Sequence, residues 1–340
     1  MNPFTGDPAL SIGSLGERGV IAEIRRWLGT ASPRSPFGLG DDCAVVPSSK
    51  APQLITVDPV IYGRHFDDKV PPAAAGAKLF KRNLSDIAAM GGVPRAAVVA
   101  LAIDPAVSIR WLEQFYRGIA RVSRMHGVPV VGGDVAQLTG GIVATLTLLG
   151  GARSPHQRIL TRSGARPGDW ICVTGSLGGS RQAHHWNFSP RLAEGAWLAS
   201  RREVVAMMDV SDGLAKDLSS LTPPGAMARL DSRMIPISGD ARRASRSSGR
   251  SALAHALGDG EDYELVFALR GTTEFESFAR DWRRRFPRLR LTRIGRFFRP
   301  SAVADLRVEW IDAACFGGYE HLSRTEDRTK RDARPPAAHD

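Results

Sequence analysis

A short stretch near the middle of the chain carries carboxylates at a spacing that could do chemistry. In MMDVSDGLAKDL, residues 207–218, a buried strand should end and a helix should begin. Asp209 and Asp212 are then brought together at the turn, with Gly213 as a flexible joint before the helix. Two carboxylates about 4 Å apart repel each other by roughly 4 kcal/mol at an effective dielectric near 20. Such a cost indicates a bound cation, because a cation between them removes the repulsion.

Other aspartates have the same kind of placement, at strand ends or beside glycine: Asp41, Asp42, Asp58 and Asp134. Asp86, in NLSDIAAMGG, lies inside a predicted helix, where a salt bridge to Arg82 worth about 0.3–0.5 kcal/mol is the simpler explanation. For any single aspartate, capping or turn formation is also simpler. Taken together, and with almost no His or Cys nearby, these hard oxygen ligands predict Mg²⁺ bridging carboxylates to substrate phosphates.

The common phosphate-binding loops are missing from the sequence. No GxxxxGK[ST] loop occurs, and no GxGxxG follows a predicted strand. Arg162, the backbone at 132–133 and the GSLGGS loop at 175–180 could contact an anionic group, although a plain flexible loop explains GSLGGS equally. The residues alone therefore predict a Mg²⁺-dependent enzyme that acts on a phosphorylated small molecule.

Composition indicates a globular protein of about two domains. The chain has 340 residues, of which 43% are apolar and 24% charged, enough for two cores. Its longest apolar run, at 96–103, is far shorter than the roughly 20 residues of a membrane-spanning helix. The N-terminus lacks the features of a signal peptide, and the three cysteines form no metal pattern. We therefore expect a cytoplasmic location and no membrane partner.

The net charge of +11 is concentrated in arginine-rich segments at 242–250 and 283–299. An RNA or membrane-surface role would use such charge, but so does the solvated surface of a basic protein. No aromatic-rich RNA-binding signature accompanies the arginines. We expect no nucleic-acid partner and rank that role last.

Strands and helices alternate along the chain, which predicts an α/β fold. Helices are predicted at 72–90 and 108–127, the second ending at Gly127. The turn-rich segment 152–169 predicts a domain boundary, and the polar, Pro-rich end predicts disorder. The predicted divisions are an N-terminal arm at 1–13, a domain at 14–151, a second domain at 152–322 and a disordered tail at 323–340.

An ordered series of motifs resembles the thiamine-monophosphate kinases, within the superfamily of aminoimidazole ribonucleotide synthetase. The series is GDDCAVV, TVDPVIYGRHF, NLSDIAAMGG, GGDV, LTRSGARPGDW, DVSDGLAKDL and GEDYELVF, and the resemblance spans roughly residues 14–322. It implies Mg²⁺-dependent transfer of the γ-phosphoryl group of ATP to thiamine monophosphate, giving thiamine diphosphate and ADP. It also implies an N-terminal mixed sheet that pairs with a second subunit of a homodimer and binds ATP, followed by a larger C-terminal α/β domain.

The resemblance also implies roles for particular residues. The implied metal ligands are Asp42, Thr56, Asp58, Asp86, Asp134, Asp209 and Asp212. The implied nucleotide contacts are Gly133, Asp134, Arg162 and Ser211, and the implied catalytic residues are Asp134, Asp209 and Asp212. Substrate contacts would be His65, Glu261 and Tyr319. His65 could instead cap a loop, and Tyr319 could close the hydrophobic core. The acceptor phosphate is largely ionised at neutral pH, so we expect direct in-line transfer without a phosphoenzyme.

Several positions depart from the family pattern: Val57, Tyr62, Arg64, Val135, Asp259 and a short stretch between Gly179 and Glu194. Most lie near the expected acceptor side, so two alternatives stay open. One is a paralogous kinase with another phosphorylated acceptor, and the other is a catalytically degenerate protein that binds nucleotide or thiamine phosphate. Aminoimidazole ribonucleotide synthetase itself is a further superfamily alternative. Selenophosphate synthetase and hydrogenase-maturation dehydratases use reactive cysteines, for which no terminal or glycine-flanked cysteine exists here.

Overall fold

A four-stranded mixed sheet organises the N-terminal half of the computed structural model, which describes residues 1–34, 37, 49–182, 184–300 and 310–319. Its strands are β1 Gln53–Ile61, β2 Val93–Ile103, β3 Val130–Gln137 and β4 Ile142–Gly151. Their order is β1-β4-β2-β3, so β1 and β3 form the two edges. Only β2 and β3 are parallel. A helix connects that pair, as a parallel connection requires.

Three helices accompany this sheet: α1 Gly16–Leu28, α2 Pro72–Ala89 and α3 Ile109–His126. The predicted helices at 72–90 and 108–127 are confirmed to within a residue at each end. α3 ends at Gly127, whose φ of 65° is the left-handed conformation that glycine adopts without strain. α2 and α3 touch through their backbones. A Cβ atom at Gly76 would lie 2.0 Å from the carbonyl oxygen of Phe115.

A six-stranded antiparallel sheet organises the C-terminal half. Its strands are β5 Trp170–Thr174, β6 Val204–Asp209, β7 Met227–Asp231, β8 Leu265–Leu269, β9 Leu291–Phe298 and β10 Trp310–Asp312, in the order β10-β7-β9-β5-β8-β6. Its helices are α4 His184–Asn187, α5 Leu192–Ser200, α6 Leu214–Leu221, α7 Gly239–Ser248, α8 Ala252–Gly258 and α9 Phe275–Arg285. Short 3-10 helices lie at Pro8–Leu10, Ile12–Ser14, Gly29–Ala31, Ser180–Gln182, Ser232–Met234 and Ala313–Cys315. The predicted α/β class is confirmed.

Helix α2 packs against both halves of the molecule. A Cβ atom at Gly195 of α5 would lie 2.0 Å from the carbonyl oxygen of Ala88, so these two helices are also in backbone contact. Because α2 of the first half contacts α5 of the second half, the predicted domain boundary at 151/152 is not visible as a gap between the two halves, and it stays a prediction. The tail at 323–340 and Asp42 lie outside the described residues. None of the helices that the structure describes is both long enough and apolar enough to cross a membrane.

Candidate active site

A cavity of about 560 Å³ lies where β1 and α2 face the turn between β6 and α6. Predicted site residues that line it are Asp58, His65, Asp86, Arg162, Asp209, Ser211, Asp212, Glu261 and Tyr319. These residues are spread over most of the chain, and the fold brings them to one place.

The turn after β6 is held in shape by a third aspartate of the stretch at 207–218. The carboxylate of Asp217 accepts hydrogen bonds from the backbone N–H groups of Ser211 at 2.9 Å and Asp212 at 3.0 Å. Gly213 adopts a φ of 107°, after which α6 begins. Asp209 ends β6 and is only 3% exposed, whereas Asp212 is partly exposed. The turn therefore presents one buried and one accessible carboxylate to the cavity.

Helix α2 supplies the next carboxylate and ties it to both sheets. Thr56 on β1 donates a hydrogen bond to the carboxylate of Asp86. The neighbouring Ser85 donates to Asp209 Oδ2 at 2.7 Å. Asp86 and Asp209, which lie 123 positions apart in the sequence, are thus held at the same wall of the cavity.

Arg82 does not form the salt bridge with Asp86 that helical spacing suggested. Its guanidinium instead donates to the carbonyl oxygen of Pro59 at 2.6 Å and to Asp58 Oδ1 at 3.3 Å. The predicted salt bridge between Arg82 and Asp86 is therefore wrong. Asp86 is hydrogen-bonded to Thr56 of β1, whereas Arg82 contacts Asp58 and Pro59 of the same strand.

The carboxylates around this wall crowd one another. Burial, together with the negative charges of Asp209 and Asp58, raises the pKa of Asp86 to about 8. Burial also raises the pKa of Asp209, against the hydrogen bond from Ser85. A cation would relieve this crowding, and carboxylate and hydroxyl oxygens are ligands that Mg²⁺ accepts. The donor set therefore fits the predicted metal.

The side chains are not already arranged as a metal centre. Within the described ranges, no group of three or more His, Cys, Asp or Glu side chains is placed to hold a metal ion. The assignment of individual metal ligands stays a prediction.

Glu261 and Tyr263, which also line the cavity, have an unusual backbone conformation. Glu261 has a φ of 55° and Tyr263 a φ of 51°, in the left-handed region that non-glycine residues rarely adopt. The backbone N–H groups of both residues donate to the β6–α6 turn, at Ser211 O (2.7 Å) and Val210 O (2.8 Å). The turn that carries the aspartates thus also fixes Glu261. Strained residues of this kind concentrate at functional sites.

His65 and Tyr319 both line the cavity. The structure agrees with the alternative that His65 caps a loop, but not with the alternative that Tyr319 closes the hydrophobic core. The N–H of Ile61 donates to His65 Nδ1 at 3.1 Å, so His65 does cap its loop while it lines the cavity. Tyr319 is partly exposed, and the Arg64 guanidinium lies 4.9 Å from its ring centroid. The N–H of Tyr319 donates to Asp212 O at 2.8 Å. Tyr319 therefore does not close a hydrophobic core.

Asp134 and Gly133 lie apart from this cavity. Both are exposed on the edge strand β3, beside a second pocket of about 70 Å³. Strand register places Asp134 on the sheet face shared by Ala100 and Pro59. Because side chains alternate along a strand, Thr56 and Asp58 point to the opposite face. One chain alone does not bring Asp134 to the other aspartates.

Lys78 and His185 were also missed by the sequence analysis, and of the two only His185 lines the cavity. Lys78 of α2 is fully buried and pairs with Glu261 at 2.6 Å, and His185 lines the cavity. Lys78 carried one signal in the sequence, since it is a charged residue among the apolar residues of a helix. His185 carried none, because its role depends on contacts made across the fold.

Comparisons with known proteins agree with this geometry. Residues 40–152 match the family described as AIR synthase related protein, N-terminal domain. The thiamine-monophosphate kinase of Rhodopirellula baltica is 36% identical over 70% of this chain and 77% of its own length. That of Escherichia coli strain K12 is 34% identical over 75% of this chain and 82% of its own length. A solved structure described as AaThiL complexed with AMPPCP and TMP superposes with a TM-score of 0.64 at 28% identity, covering 86% of this chain and 93% of that one.

Proposed function

This chain belongs to the thiamine-monophosphate kinase family, and on that premise we propose that it phosphorylates thiamine monophosphate to thiamine diphosphate with ATP as donor. The structurally similar AaThiL complexed with AMPPCP and TMP supports this choice of donor and acceptor. The family relationship makes the chain a kinase, and the acceptor and the mechanism belong to the proposal.

The observation that carries the proposal is the composition of the cavity. Four of the predicted metal-binding aspartates and Arg162 line it, together with Glu261, His65 and Tyr319. A phosphoryl-transfer site needs charge compensation for phosphates and a separate surface for the rest of the acceptor. The cavity offers both within about 560 Å³.

Mg²⁺ would be held by the carboxylates and hydroxyl already named: Asp42, Thr56, Asp58, Asp86, Asp134, Asp209 and Asp212. When bound, it supplies positive charge that offsets the charge of the phosphoryl groups. The protein contributes by holding Asp86 and Asp209 at the cavity despite their repulsion, through the hydrogen bonds from Thr56 and Ser85.

The remaining residues bind and orient the two substrates. Arg162 at the cavity wall would clamp a phosphate, and Ser211 and Gly133 would contact the nucleotide. No general base is required, because the acceptor phosphate has a second pKa near 6 and its oxygen is already ionised. Holding attacking and leaving groups in line then gives direct transfer without a phosphoenzyme.

Assembly and location complete the proposal. Residues 14–151 would form the ATP- and Mg²⁺-binding domain and residues 152–322 the larger second domain. Two chains would associate through their N-terminal sheets as a homodimer in the cytoplasm.

A coupled ADP-release assay tests this function. Purified protein is incubated with ATP and Mg²⁺, and thiamine, thiamine monophosphate or a precursor of aminoimidazole ribonucleotide is added as acceptor. We expect Mg²⁺-dependent ADP release with thiamine monophosphate alone, with thiamine diphosphate as the second product. Turnover with another phosphorylated acceptor would identify a paralogous kinase. Tight binding of ATP without turnover would identify a degenerate binding protein.

A further inference from the structure

A cavity of about 440 Å³ is separate from the candidate active site, and the two have no lining residue in common. It lies between the segment that follows β4 and the C-terminal end of α5. Its volume is typical of pockets that take small molecules. Its polar lining residues are Arg153, His156, Gln157, Arg158, Ser200 and Arg202, and we call it the arginine cavity.

The charge on the arginine cavity is of one sign. Three arginines line it, and none of the described residues that line it is acidic. The side chains of Arg153 and Arg202 are exposed and form no hydrogen bond or ion pair within the part of the chain that the structure describes. By contrast, the exposed Arg117 pairs with Glu113 at 2.7 Å. The lining therefore leaves positive charge uncompensated.

The third arginine, Arg158, is fixed at the end of α5. Its Nη2 donates to the carbonyl oxygens of Arg201 at 2.7 Å and Ala199 at 3.3 Å. Nε and Nη1 form no hydrogen bond with any residue that the structure describes, so their N–H groups remain for a ligand. Burial and the positive charge of Arg270 lower the pKa of Arg158, and Glu203 offsets part of this. An anion in the cavity would relieve the crowding of positive charge.

The turn at 153–157 is held in shape without a ligand. Gln157 Oε1 accepts from the N–H of Arg153 at 2.6 Å, and Gln157 Nε2 donates to the carbonyl oxygen of Gly91 at 2.7 Å. The N–H of Gln157 donates to Ser154 O at 3.1 Å. The backbone of the cavity is thus ordered in advance, which lowers the entropic cost of binding.

We propose that the arginine cavity binds a small molecule that carries a diphosphate group. Guanidinium groups bind phosphate oxygens through charge-assisted hydrogen bonds, which are frequently bidentate. A single phosphate group carries a charge of about −1.5 to −2 at pH 7, which three arginines exceed. Two linked phosphates match three arginines better. A nucleotide, thiamine diphosphate and free pyrophosphate all carry this group, so the experiment compares them.

Isothermal titration calorimetry with inorganic pyrophosphate tests the site. The full chain is titrated without Mg²⁺, as wild type and as the double variant Arg153→Gln/Arg202→Gln. Each charge-assisted contact is worth about tenfold in affinity or more, so we expect one site per chain to weaken by about a hundredfold in the double variant. Binding to wild-type protein should also weaken as the salt concentration rises.

Arg283→Gln is the matched control. Arg283 is exposed on α9, does not line the cavity, and forms no hydrogen bond or ion pair among the described residues. This variant should bind pyrophosphate as wild type does. Equal binding by wild type and the double variant would overturn the proposal. Loss of binding in Arg162→Gln, with none in the double variant, would place pyrophosphate in the active site and would overturn it as well.

Titrations with ADP, thiamine diphosphate and sulfate identify the ligand. A diphosphate compound that occupies the arginine cavity should lose one site per chain in the double variant, while a site in the other cavity stays. A site lost with ADP or with thiamine diphosphate names that compound, and a site lost with pyrophosphate alone names the free diphosphate. If sulfate bound wild-type protein as tightly as pyrophosphate does, the proposed ligand class would be wrong.

Discussion

Asp209 is held in the folded protein at the expense of stability. It is 3% exposed, burial raises its pKa, and Asp58 adds to that effect. In Asp209→Asn the amide can still accept the hydrogen bond from Ser85, but the charge is gone. We expect turnover to fall by roughly a hundredfold or more, about 2.7 kcal/mol of transition-state stabilisation. We expect Tm without ligands to rise by about 2–4 °C, because repulsion is relieved.

Asp231→Asn is the control for this substitution. Asp231 also ends a strand, β7, and its side chain accepts from the N–H of Arg233, which asparagine can replace. It does not line the cavity, so activity and Tm should stay at wild-type values. The coupled assay and thermal unfolding measure both variants. Wild-type turnover in Asp209→Asn would remove the argument for a cation-binding carboxylate.

His185 gives the folded state a dependence on pH. The groups that face its ring are Lys78, Glu261, Asp67 and Arg181, and burial holds its pKa near 4. The unfolded chain binds this proton at about pH 6.5. Between these values the unfolded state binds more protons, so the contribution of His185 to stability is complete above about pH 6.5 and is lost as the pH falls toward 4. In His185→Gln this loss should disappear.

Urea unfolding at pH 7 and pH 4.5 measures the effect. We expect the difference in unfolding free energy between the two pH values to shrink in His185→Gln, by no more than about 2 kcal/mol after solvent screening. His184→Gln, the same substitution at the neighbouring residue of α4, is measured alongside. Equal pH dependence in wild type and His185→Gln would show that the ring is accessible to protons in the folded state.

The motif series pointed to aspartates that line the cavity, but it did not point to the residues that support the cavity wall. Asp58, Asp86 and Asp209 were predicted because each stands in a recognisable local pattern. Lys78 and His185 meet across 107 positions of sequence, and only packing of the chain brings them together. Side-chain contacts of that range leave no local pattern to read.

At the scale of elements, α2 places Asp86 because neighbouring helices pack against it without side chains between them. A Cβ atom at Gly118 of α3 would lie 2.0 Å from the carbonyl oxygen of Ala73 in α2. Gly118→Ala must therefore separate the two helices, and we expect a loss of about 2–3 kcal/mol in unfolding free energy. Because α2 carries Asp86, kcat should fall as well.

Gly19→Ala is the matched change in another helix. A Cβ atom at Gly19 of α1 would meet only the Leu15 side chain, at 3.1 Å, a spacing that a small shift accommodates. Alanine favours helices over glycine by about 0.5–1 kcal/mol, so this variant should be as stable as wild type or slightly more stable. Urea unfolding separates the two outcomes. Equal stability of Gly118→Ala and wild type would contradict backbone contact between α2 and α3.

Helix positions were predictable because their signals are local. Gly127 ends α3 and Gly213 precedes α6, as their sequence neighbours indicated. Sheet order was not predictable, since β4 pairs between β1 and β2 although it follows both in the chain. Strand order depends on contacts between distant segments, which no periodicity within one segment specifies.

At the scale of the whole molecule, strand order separates Asp134 on β3 from the aspartates that line the cavity. β1 and β3 are opposite edges of the sheet, about 14 Å apart over three strand spacings. Ile55 is 72% and Val57 59% exposed on the face that Asp134 shares. Apolar side chains exposed on one sheet face are typical of an interface. We therefore expect Asp134 to serve the site of a second subunit.

Mixed dimers test this arrangement. Asp58→Asn and Asp134→Asn should each inactivate the homodimer. If the two residues of one site come from different chains, a mixed dimer keeps one intact site of two. Random association of equal amounts then restores about a quarter of wild-type activity. Asp58→Asn mixed with Asp209→Asn is the control and should restore none, because both residues line the same cavity of one chain. Absence of recovery in the first mixture, with dimers shown by light scattering, would place Asp134 outside the shared site.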